Sequence, residues 1–311
     1  MIHKVIIIGS GPAGYTAGIY AARAELKPLI LAGEKSGGQL MNTRVVENWP
    51  GAEKGVIGPE LMIEMSKQAQ GFGAEIVYKN VTKVDFTSRP FKVWSGEEEY
   101  QAEAVIVSTG AESIRLGVTG EDKFFGKGVS VCAVCDAPFY KDKITYVIGG
   151  GDAAVEDVLA LTKHAKEIYL VHRRDSLRAS KIMVKRVKEN EKIKILWNSE
   201  LKEIIGGQKV EKIKIFNNKT NETKEYAADG VFLAIGHKPA TEMFKSQLDL
   251  DEKGYIKVNF SFENEFLTQT NVEGVFAAGD VVDFKYQQAV TAAGMGCMAA
   301  LDTERWLEKK E

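Results

Sequence analysis

The residues most able to do chemistry are two cysteines that stand close together. Cys132 and Cys135 are separated by two residues in "GVSVCAVCDAPFY" (128–140), and Asp136 follows directly. A Cys-x-x-Cys pair can supply half of a zinc site, part of an iron-sulfur ligand set, a redox-active disulfide, or merely two small apolar residues.

The supply of other ligands bears on this choice. A structural zinc ion needs four nitrogen or sulfur ligands, and an iron-sulfur cluster needs about four thiolates. The chain has 3 cysteines and 4 histidines, and no other pair of them has ligand-like spacing. These counts favour the redox disulfide, and we expect no metal site. The third cysteine, Cys297, is expected to be a small buried apolar residue on a helix.

Composition limits the class of protein. The chain has 311 residues, 44% of them hydrophobic and 27% charged, with a net charge of -2. Such a chain is long enough for two domains. Its near-neutral charge argues against a general binder of nucleic acid or of an anionic membrane. With no apolar run of about 18 residues and no signal peptide, we expect a cytoplasmic protein without a membrane span.

An internal repeat indicates the architecture that must position the cysteines. The segments 4–34 and 143–174 each read as an apolar strand, a glycine turn, an alanine-rich helix and a second apolar strand. This plan predicts an α/β fold with two Rossmann-like dinucleotide-binding domains. In register, three small residues of the first copy meet three of the second: Gly9, Gly11 and Gly14 with Gly149, Gly151 and Ala154.

The glycine turns predict two pyrophosphate sites. The first two glycines permit a tight turn and close backbone approach to phosphate, and the third small residue lets helix and strand pack closely. The phosphates then lie at a helix N-terminus. The cofactor-binding residues expected in the two turns and the helices that follow them are Gly9, Ser10, Gly11, Pro12, Ala13 and Gly14, then Gly149, Gly151, Asp152, Ala153, Ala154 and Glu156.

The ends of the second strands distinguish the two sites. Glu34 lies 20 residues after Gly14, where an acidic residue binds an unphosphorylated ribose and repels a 2′-phosphate. The equivalent position in the second copy is Arg174, within "HRRDSLR". A 2′-phosphate would be attracted by the basic set His172, Arg173, Arg174 and Arg178. The second site is therefore expected to take NADP(H); the alternatives are a solvated basic helix face or a nucleic-acid patch.

Two later segments complete the first domain. "AVIVSTGA" (104–111) and "TNVEGVFAAGDV" (270–281) both read as buried strands. Asp280, at the end of the second strand, is placed to bond a cofactor hydroxyl; its alternative role, which is compatible with the first, is to cap the helix that follows. The second domain is then inserted into the first. We predict boundaries at 1–114, 115–243 and 244–311, with hinges near 115 and 242.

The motifs carry a family resemblance that runs essentially from end to end. They are "GSGPAG" (9–14), "GGQL" (37–40), "ENWPG" (47–51), "STGA" (108–111), "CAVCD" (132–136), "GGGDAA" (149–154), "HRRD" (172–175), "AIGH" (234–237) and "FAAGD" (276–280). In this order and spacing the chain resembles the low-molecular-weight, bacterial-type thioredoxin reductases. A redox pair inside the NADPH domain separates this branch from glutathione reductase and lipoamide dehydrogenase.

The resemblance implies a homodimeric thioredoxin-disulfide reductase with FAD in the first domain and NADPH in the second. It implies that Cys135 takes electrons from the flavin, that Cys132 attacks the disulfide of thioredoxin, and that Asp136 is the proton donor. The alternative for Asp136 is a turn or cap residue. Further cofactor-binding residues implied by the matching motifs are Gly38, Gln39, Asn48, Thr109, Gly110, Gly279, Gln287, Gln288 and Ala289 for FAD, and Ile235 and Gly236 for NADPH.

This chain departs from the family pattern at Val134, Ala153 and Gln287, where Thr, Ser or Thr, and Arg are usual. The resemblance also implies rotation of the NADPH domain, because the nicotinamide and the disulfide both need the flavin.

Other enzymes of similar architecture are the first alternatives. Ferredoxin-NADP reductases lack the cysteine pair, and an oxygen-dependent dithiol oxidase would lack the basic residues that bind NADPH. A reductase component for a peroxiredoxin would need an additional N-terminal region. A redox sensor without turnover is the alternative from another class.

Overall fold

The computed structural model describes residues 1–43, 45–261 and 263–310. The chain forms two compact units, and the second, Ser113–His237, interrupts the first. The predicted boundaries fall after residues 114 and 243, while the units divide after Glu112 and His237. Residues just beyond His237 group with the first unit because Thr109 and Gly110 both hydrogen-bond the backbone of Ala240.

The elements follow in chain order. The strands are β1 (Ile2–Ile8), β2 (Leu29–Leu31), β3 (Val45–Val46), β4 (Val56–Ile57), β5 (Glu75–Val77), β6 (Lys83–Asp85), β7 (Phe91–Ser95), β8 (Glu98–Val107), β9 (Ala111–Ser113), β10 (Val129–Ser130), β11 (Ile144–Gly149), β12 (Glu167–Val171), β13 (Ile193–Leu196), β14 (Ser199–Ile205), β15 (Lys212–Asn217), β16 (Glu222–Ala227), β17 (Gly230–Ala234), β18 (His237–Pro239) and β19 (Val275–Ala277). The α-helices are α1 (Pro12–Arg23), α2 (Gly58–Gly71), α3 (Glu121–Phe124), α4 (Ala133–Asp136), α5 (Asp152–Leu161), α6 (Lys181–Lys188) and α7 (Ala289–Glu308).

The first unit is built on a sheet in the order β5-β2-β1-β8-β7-β6, with β19 also paired to β8. β1 is parallel to β2 and β8, and Ile7 lies opposite Ile30 and Ile106. These strands are rich in isoleucine and valine because both faces of the sheet are covered, so successive residues face different parts of the core. Ile7 packs in the cluster that includes residues of α1, α2 and α7, while Ile6 packs on the opposite face with Leu29.

The second unit repeats the arrangement on a smaller scale. Its parallel sheet has the order β10-β17-β11-β12-β13, and an antiparallel sheet of β14-β15-β16 belongs to the same unit. α5 connects β11 to β12 as α1 connects β1 to β2. The fold class and the strand-turn-helix-strand repeat predicted from the sequence are confirmed.

Several smaller predictions can be compared with the observed elements. The amphipathic segment 61–73 lies largely in α2, with Met62 and Met65 facing the core. The C-terminal segment forms α7, which is the longest α-helix in the described part of the chain. The described helices include none that combines the length and apolar character needed to cross a bilayer. The two segments that connect the units, β9 and β18, pair with each other.

Candidate functional site

Cys132 and Cys135 are bonded as a disulfide at the start of α4. Their Cα atoms are 5.4 Å apart. Cys132 is the N-cap residue of this short helix, and its Sγ accepts a hydrogen bond of 3.2 Å from the backbone N–H of Cys135. Between them, Val134 is 63% exposed. The bonded sulfurs confirm the redox-disulfide prediction for this motif.

The turn that carries the disulfide is fixed by hydrogen bonds from its backbone to two side chains. The Ser130 hydroxyl accepts from the N–H of Cys132 at 3.1 Å. The N–H of Ala133, a residue with 0% exposure, donates to the Asp157 carboxylate Oδ1 at 3.3 Å. Asp136 is partly buried and ends α4. A side chain from α5 therefore completes the support of the redox motif.

Asp157 was not among the residues singled out from the sequence. Burial raises the pKa of this carboxyl to about 7, and the negative charge of Glu156 adds to the shift. A signal was present in the sequence, because Asp157 lies three residues after Ala154 and four before Leu161, which are both buried on α5. An acidic residue on the apolar side of a helix needs a partner, which here is the N–H of Ala133.

The first glycine turn is shaped to receive a phosphate group. A Cβ on Gly9 would overlap the Ser108 carbonyl, and Gly9 also has a positive φ of 115°. A Cβ on Gly14 would lie 2.8 Å from the Ser108 hydroxyl. By contrast, a Cβ on Gly11, the N-cap residue of α1, would meet nothing within 4 Å. Space is thus left open at the helix N-terminus, where backbone donors face an anion.

The second turn has the same construction. The backbone of Gly151, the N-cap residue of α5, has φ -94° and ψ -175°, close to the -69° and -174° of Gly11. A Cβ on Gly149 would lie 2.7 Å from the Ala154 Cβ, whereas one on Gly151 would meet nothing within 4 Å. The strand and the helix are therefore packed closely, and the space at the helix N-terminus is again left free.

The structure brings the basic loop against this second turn. The N–H of Arg178 donates to the Gly150 carbonyl at 2.7 Å, and the N–H of Ser180 donates to Asp152 Oδ1 at 2.9 Å. The side chains of Arg173, Arg174 and Arg178 are exposed. Three guanidinium groups consequently lie on a loop that is hydrogen-bonded to the open turn. This placement suits a binding site for the phosphate of a ribose. Of the remaining residues predicted here, Asp152, Ala153 and Glu156 are exposed at the start of α5, and Ile235 and Gly236 follow β17.

His172 has a different environment from the arginines. It is 5% exposed, its imidazole fills the place a Cβ would take on Gly150, and it packs edge-on against Trp197 with ring centroids 6.4 Å apart. Burial lowers the pKa of His172, and the structure shows no hydrogen-bond partner for its Nε2. The structure thus places the ring beneath the glycine turn, whereas the guanidinium groups are exposed.

The residues predicted for the first dinucleotide cluster around the first turn. A Cβ on Gly38 would lie 3.2 Å from the Cα of Gly11, so these two glycines are neighbours. The Ser10 hydroxyl donates to the Ala32 carbonyl at 2.6 Å. Glu34 is exposed after β2, and its backbone N–H donates to the Asn80 side chain at 3.1 Å. Asn80, which was not among the residues predicted from the sequence, thus fixes the loop that carries Glu34.

Asp280 is the residue of the first unit whose surroundings best fit a role in cofactor binding. Its Oδ1 is enclosed, and the structure shows no hydrogen-bond partner for it. Burial raises the pKa of Asp280 to about 7, and the charge of Asp283 contributes. A buried carboxyl oxygen without a partner is costly, so this oxygen is suited to accept a hydrogen bond from a bound cofactor hydroxyl. Gly279, just before it, has a positive φ of 81°.

The alternative expectation that Asp280 caps the C-terminal helix is wrong. α7 begins at Ala289, and its N-cap residue is Gln288, which forms a capping box with Thr291. Residues 280–288 form a turn in between, where Asp283 accepts backbone hydrogen bonds from Lys285, Tyr286 and Gln287. Asp283 therefore organises the turn, and the carboxyl of Asp280 is not used for it.

The other predicted residues of the first unit are joined by hydrogen bonds. Gln39 donates to the Ala111 carbonyl, and the hydroxyl of Thr109 donates to the Ala240 carbonyl at 2.8 Å. The Asn48 amide donates to the Gln288 side chain at 3.2 Å. Gln287, which has a positive φ of 48°, lies 3.4 Å from the Tyr255 hydroxyl. These bonds connect the loops after β2, β8 and β19, which surround the carboxyl ends of parallel strands.

Cys297 is a free, partly buried thiol on α7 that is hydrogen-bonded to Tyr20. Among the described residues, no three His, Cys, Asp or Glu side chains come together in a way that could hold a metal ion.

Comparison with known proteins agrees with the geometry. The family model described as pyridine nucleotide-disulphide oxidoreductase matches residues 3–296. The chain is 51% identical over 312 residues to a thioredoxin reductase of Chlamydia trachomatis, covering 98% of each chain. It also superimposes on the thioredoxin reductase structure of Streptococcus pyogenes with a TM-score of 0.93, at 39% identity and 99% coverage of both chains. The corresponding structure from Giardia duodenalis gives a TM-score of 0.91 at 44% identity, with 98% coverage of both.

The site defines a class of protein: an oxidoreductase that uses dinucleotide cofactors and a disulfide of its own chain. The features that define it are the fold, the two glycine turns and the bonded cysteine pair. The chain belongs to the pyridine nucleotide-disulphide oxidoreductase family and, within it, to the thioredoxin reductases of the low-molecular-weight type. It is a flavoprotein enzyme with FAD and NADPH as its cofactors.

Proposed function

We propose that this chain transfers electrons from NADPH, through FAD and its own Cys132–Cys135 disulfide, to the disulfide of oxidised thioredoxin. The observation that carries the proposal is the shared role of α5. Its N-terminus forms the open turn at Gly151, and its residue Asp157 holds the N–H next to Cys132. One short helix thus contributes to both a dinucleotide site and the turn of a redox disulfide, which are two of the parts that the proposed electron transfer uses.

The first unit would hold FAD. When bound, FAD supplies the two-electron chemistry that links a hydride donor to a disulfide. Gly11 leaves room for the pyrophosphate at the N-terminus of α1, and the partnerless Oδ1 of Asp280 can accept a hydroxyl. Glu34 would bind the unphosphorylated ribose through its carboxylate.

The second unit would hold NADPH at Gly151, with the exposed guanidinium groups of Arg173, Arg174 and Arg178 on the 2′-phosphate. Three cations on one loop favour a phosphorylated ribose, since guanidinium groups bind phosphate in a bidentate manner. His172 supports this site from beneath Gly150.

The two cysteines would have separate roles. Cys135 receives the electron pair, and Cys132, as a thiolate, attacks the disulfide of thioredoxin. That attack breaks the thioredoxin S–S bond and forms a mixed disulfide, which Cys135 resolves to restore the Cys132–Cys135 bond. Asp136, directly after Cys135, would give up a proton to the departing sulfur.

Turnover also requires movement of one unit relative to the other. The disulfide and the NADPH site both belong to Ser113–His237, so they must reach the flavin in turn. We infer rotation on the connections formed by β9 and β18, next to which Gly110 and Gly236 have positive φ. Cross-linking the units in one orientation should abolish steady-state turnover and preserve one half-reaction; unchanged turnover would contradict the rotation.

We further propose that the enzyme works in the cytoplasm as a homodimer. Side chains on α1, on α2 and at the C-cap of α2 favour an apolar contact, since Tyr20, Ile63 and Phe72 are 40%, 47% and 47% exposed. Large exposed apolar residues on adjacent helices are typical of an interface between subunits.

A spectroscopic experiment tests the proposed function. The purified protein should be yellow, a small excess of NADPH under argon should bleach its visible flavin absorbance, and oxidised thioredoxin should restore that absorbance. Cys132→Ser should still be bleached by NADPH but should not reduce thioredoxin. A protein that remains oxidised with NADPH, or that never passes electrons to thioredoxin, would instead be a redox sensor or a reductase for another partner.

A further inference from the structure

The helix α5 carries a partly buried acidic side chain that the proposed electron transfer does not use. Asp157 lies six residues after Gly151, or about 9 Å along the helix axis at the usual rise per residue. Its carboxylate does not contact the open turn at Gly151. It bonds instead to the turn that carries the redox disulfide, which is the other motif of this unit.

The first turn of α4 explains why an acceptor is needed there. The N–H of Cys135 bonds to Cys132 Sγ at 3.2 Å, and that of Asp136 bonds to the Cys132 carbonyl at 3.1 Å. The N–H of Ala133 donates outside this turn, to the Asp157 carboxylate at 3.3 Å. Ala133 is 0% exposed, so its N–H is shielded from water and depends on the carboxylate as its acceptor.

We propose that Asp157 is a positioning residue that holds the oxidised Cys132–Cys135 turn on α5 and thereby sets the equilibrium between its disulfide and dithiol forms. The inference rests on the proposed redox role of this pair. Asp157 acts through the N–H of Ala133 and not on the reacting sulfurs.

The direction of its effect follows from the state in which the bond is seen. The hydrogen bond is present with the sulfurs joined. Reduction breaks the S–S bond, each sulfur takes one electron and one proton, and the two sulfurs separate. The turn no longer has to keep its oxidised shape, so loss of the bond to Ala133 weakens the disulfide form more than the dithiol form.

The hydrogen bond from Ala133 to Asp157 can form whether or not the carboxyl group is protonated. Burial raises the pKa of Asp157 to about 7. An ionised carboxylate and a protonated carboxyl group both keep an oxygen that can accept from Ala133. An amide oxygen can do the same, so Asp157→Asn is the conservative variant and Asp157→Leu is the disruptive one.

The test is a redox titration of the FAD-loaded enzyme against mixtures of reduced and oxidised glutathione under argon. Two glutathione thiols are oxidised to one glutathione disulfide for each protein disulfide reduced to two thiols. The dithiol fraction is read by alkylation and intact mass, with Cys297→Ser in every sample to remove the third thiol. Neither NADPH nor thioredoxin takes part, so the result is independent of those steps.

Asp157→Leu should shift the equilibrium constant about tenfold toward the dithiol, equivalent to about 30 mV, and Asp157→Asn should stay within about twofold of the parent. Asp229→Leu is the matched control. It removes another carboxylate of this unit that accepts a backbone N–H, from Ile144 at 2.9 Å. This control should lower thermal stability without moving the redox equilibrium.

An unchanged constant in Asp157→Leu would overturn the proposal, and so would an equal shift in Asp229→Leu or in Asp157→Asn. Should Asp157→Leu fail to fold, Asp157→Ala provides the same comparison with less added volume. If the parent pair cannot be reduced by glutathione at any ratio and takes no electrons from NADPH, the proposed function itself fails.

Discussion

At the scale of single residues, two carboxyl groups hold protons more tightly than ordinary aspartates do. Burial raises the pKa of both Asp157 and Asp280 to about 7. Their surroundings differ, because Asp157 accepts a backbone N–H while the Oδ1 of Asp280 has no hydrogen-bond partner. Asp157 therefore has a structural hydrogen bond within the fold, whereas Asp280 has an oxygen that is available to bind a ligand.

We expect Asp280→Ala to weaken flavin binding by about ten- to a hundredfold, because it removes a buried acceptor for a cofactor hydroxyl. Flavin content after purification and FAD affinity of the FAD-free protein measure this effect. Asp249→Ala, an exposed aspartate of the same unit, is the control and should retain normal flavin content. Full flavin retention in Asp280→Ala would argue against this residue as a cofactor ligand.

The pKa of Asp157 also predicts how stability depends on pH. The ordinary value is 3.8 and the folded value is about 7, so the folded state binds a proton that the unfolded state releases. Stability is then greatest below pH 3.8 and is lost as pH rises toward 7, by at most about 4 kcal/mol. Relative to Asp157→Asn, the wild type should lose melting temperature between about pH 4 and pH 7. Parallel curves for the two proteins would show that this carboxyl does not titrate in that range.

At the scale of elements, each strand-turn-helix unit combines a position that must be glycine for packing with one that is open for a ligand. Gly149 is pressed against the Ala154 side chain and the backbone of Ala234. Gly151 has free space in front of it and a φ of -94° that any residue can adopt. The same division separates Gly14 from Gly11 in the first unit.

The two glycines of the second turn should therefore respond differently to alanine. Gly149→Ala overpacks the contact between strand and helix and should cost about 1–3 kcal/mol of stability. Gly151→Ala should fold with nearly normal stability but raise the KM for NADPH, because its methyl group occupies the space meant for phosphate. Thermal melting and steady-state kinetics distinguish them; normal NADPH kinetics in Gly151→Ala would place the phosphates elsewhere.

The basic loop predicts cofactor preference. Changing Arg173 and Arg174 to alanine should lower kcat/KM for NADPH by about 10- to 100-fold, because charge-assisted hydrogen bonds to the 2′-phosphate are lost. Activity with NADH should hardly change. Arg186→Ala on α6, where the side chain is exposed, serves as the control. An equal loss with NADH would indicate a general defect and not a lost phosphate contact.

At the scale of the whole molecule, the chain is divided between two units that must cooperate, and its proposed dimer contact lies on the first of them. Arg23 of α1 lies over the Phe72 ring, with the guanidinium carbon 5.6 Å from the ring centroid. Tyr20 and Ile63, on the same two helices, are also exposed. A contact in the first unit would leave the second one free to rotate.

Sedimentation should give twice the chain mass of 34.2 kDa for the wild type. Replacing both Ile63 and Phe72 by glutamate should produce monomers, because burying two carboxylates in an apolar interface is unfavourable. Ile182→Glu is the control, since Ile182 is 63% exposed on α6 of the second unit. A dimeric Ile63/Phe72 variant would move the interface to another surface.

The sequence by itself determined the α/β class, the internal repeat, the two glycine turns and the redox nature of Cys132 and Cys135. These features depend on local properties: alternation of residue types, the freedom of glycine and the spacing of ligands along the chain. The basic character of the loop after β12 was equally visible, because charge needs no folding to be read.

Only the tertiary structure decided which side chains meet across long separations. It placed Asp157 on the N–H of Ala133, buried His172 beneath Gly150, and gave the cap of α7 to Gln288 instead of Asp280. The physical reason is that hydrogen-bond partners and burial depend on how helices and strands pack in space. Residues 24 positions apart, such as Ala133 and Asp157, become neighbours only when α4 packs on α5.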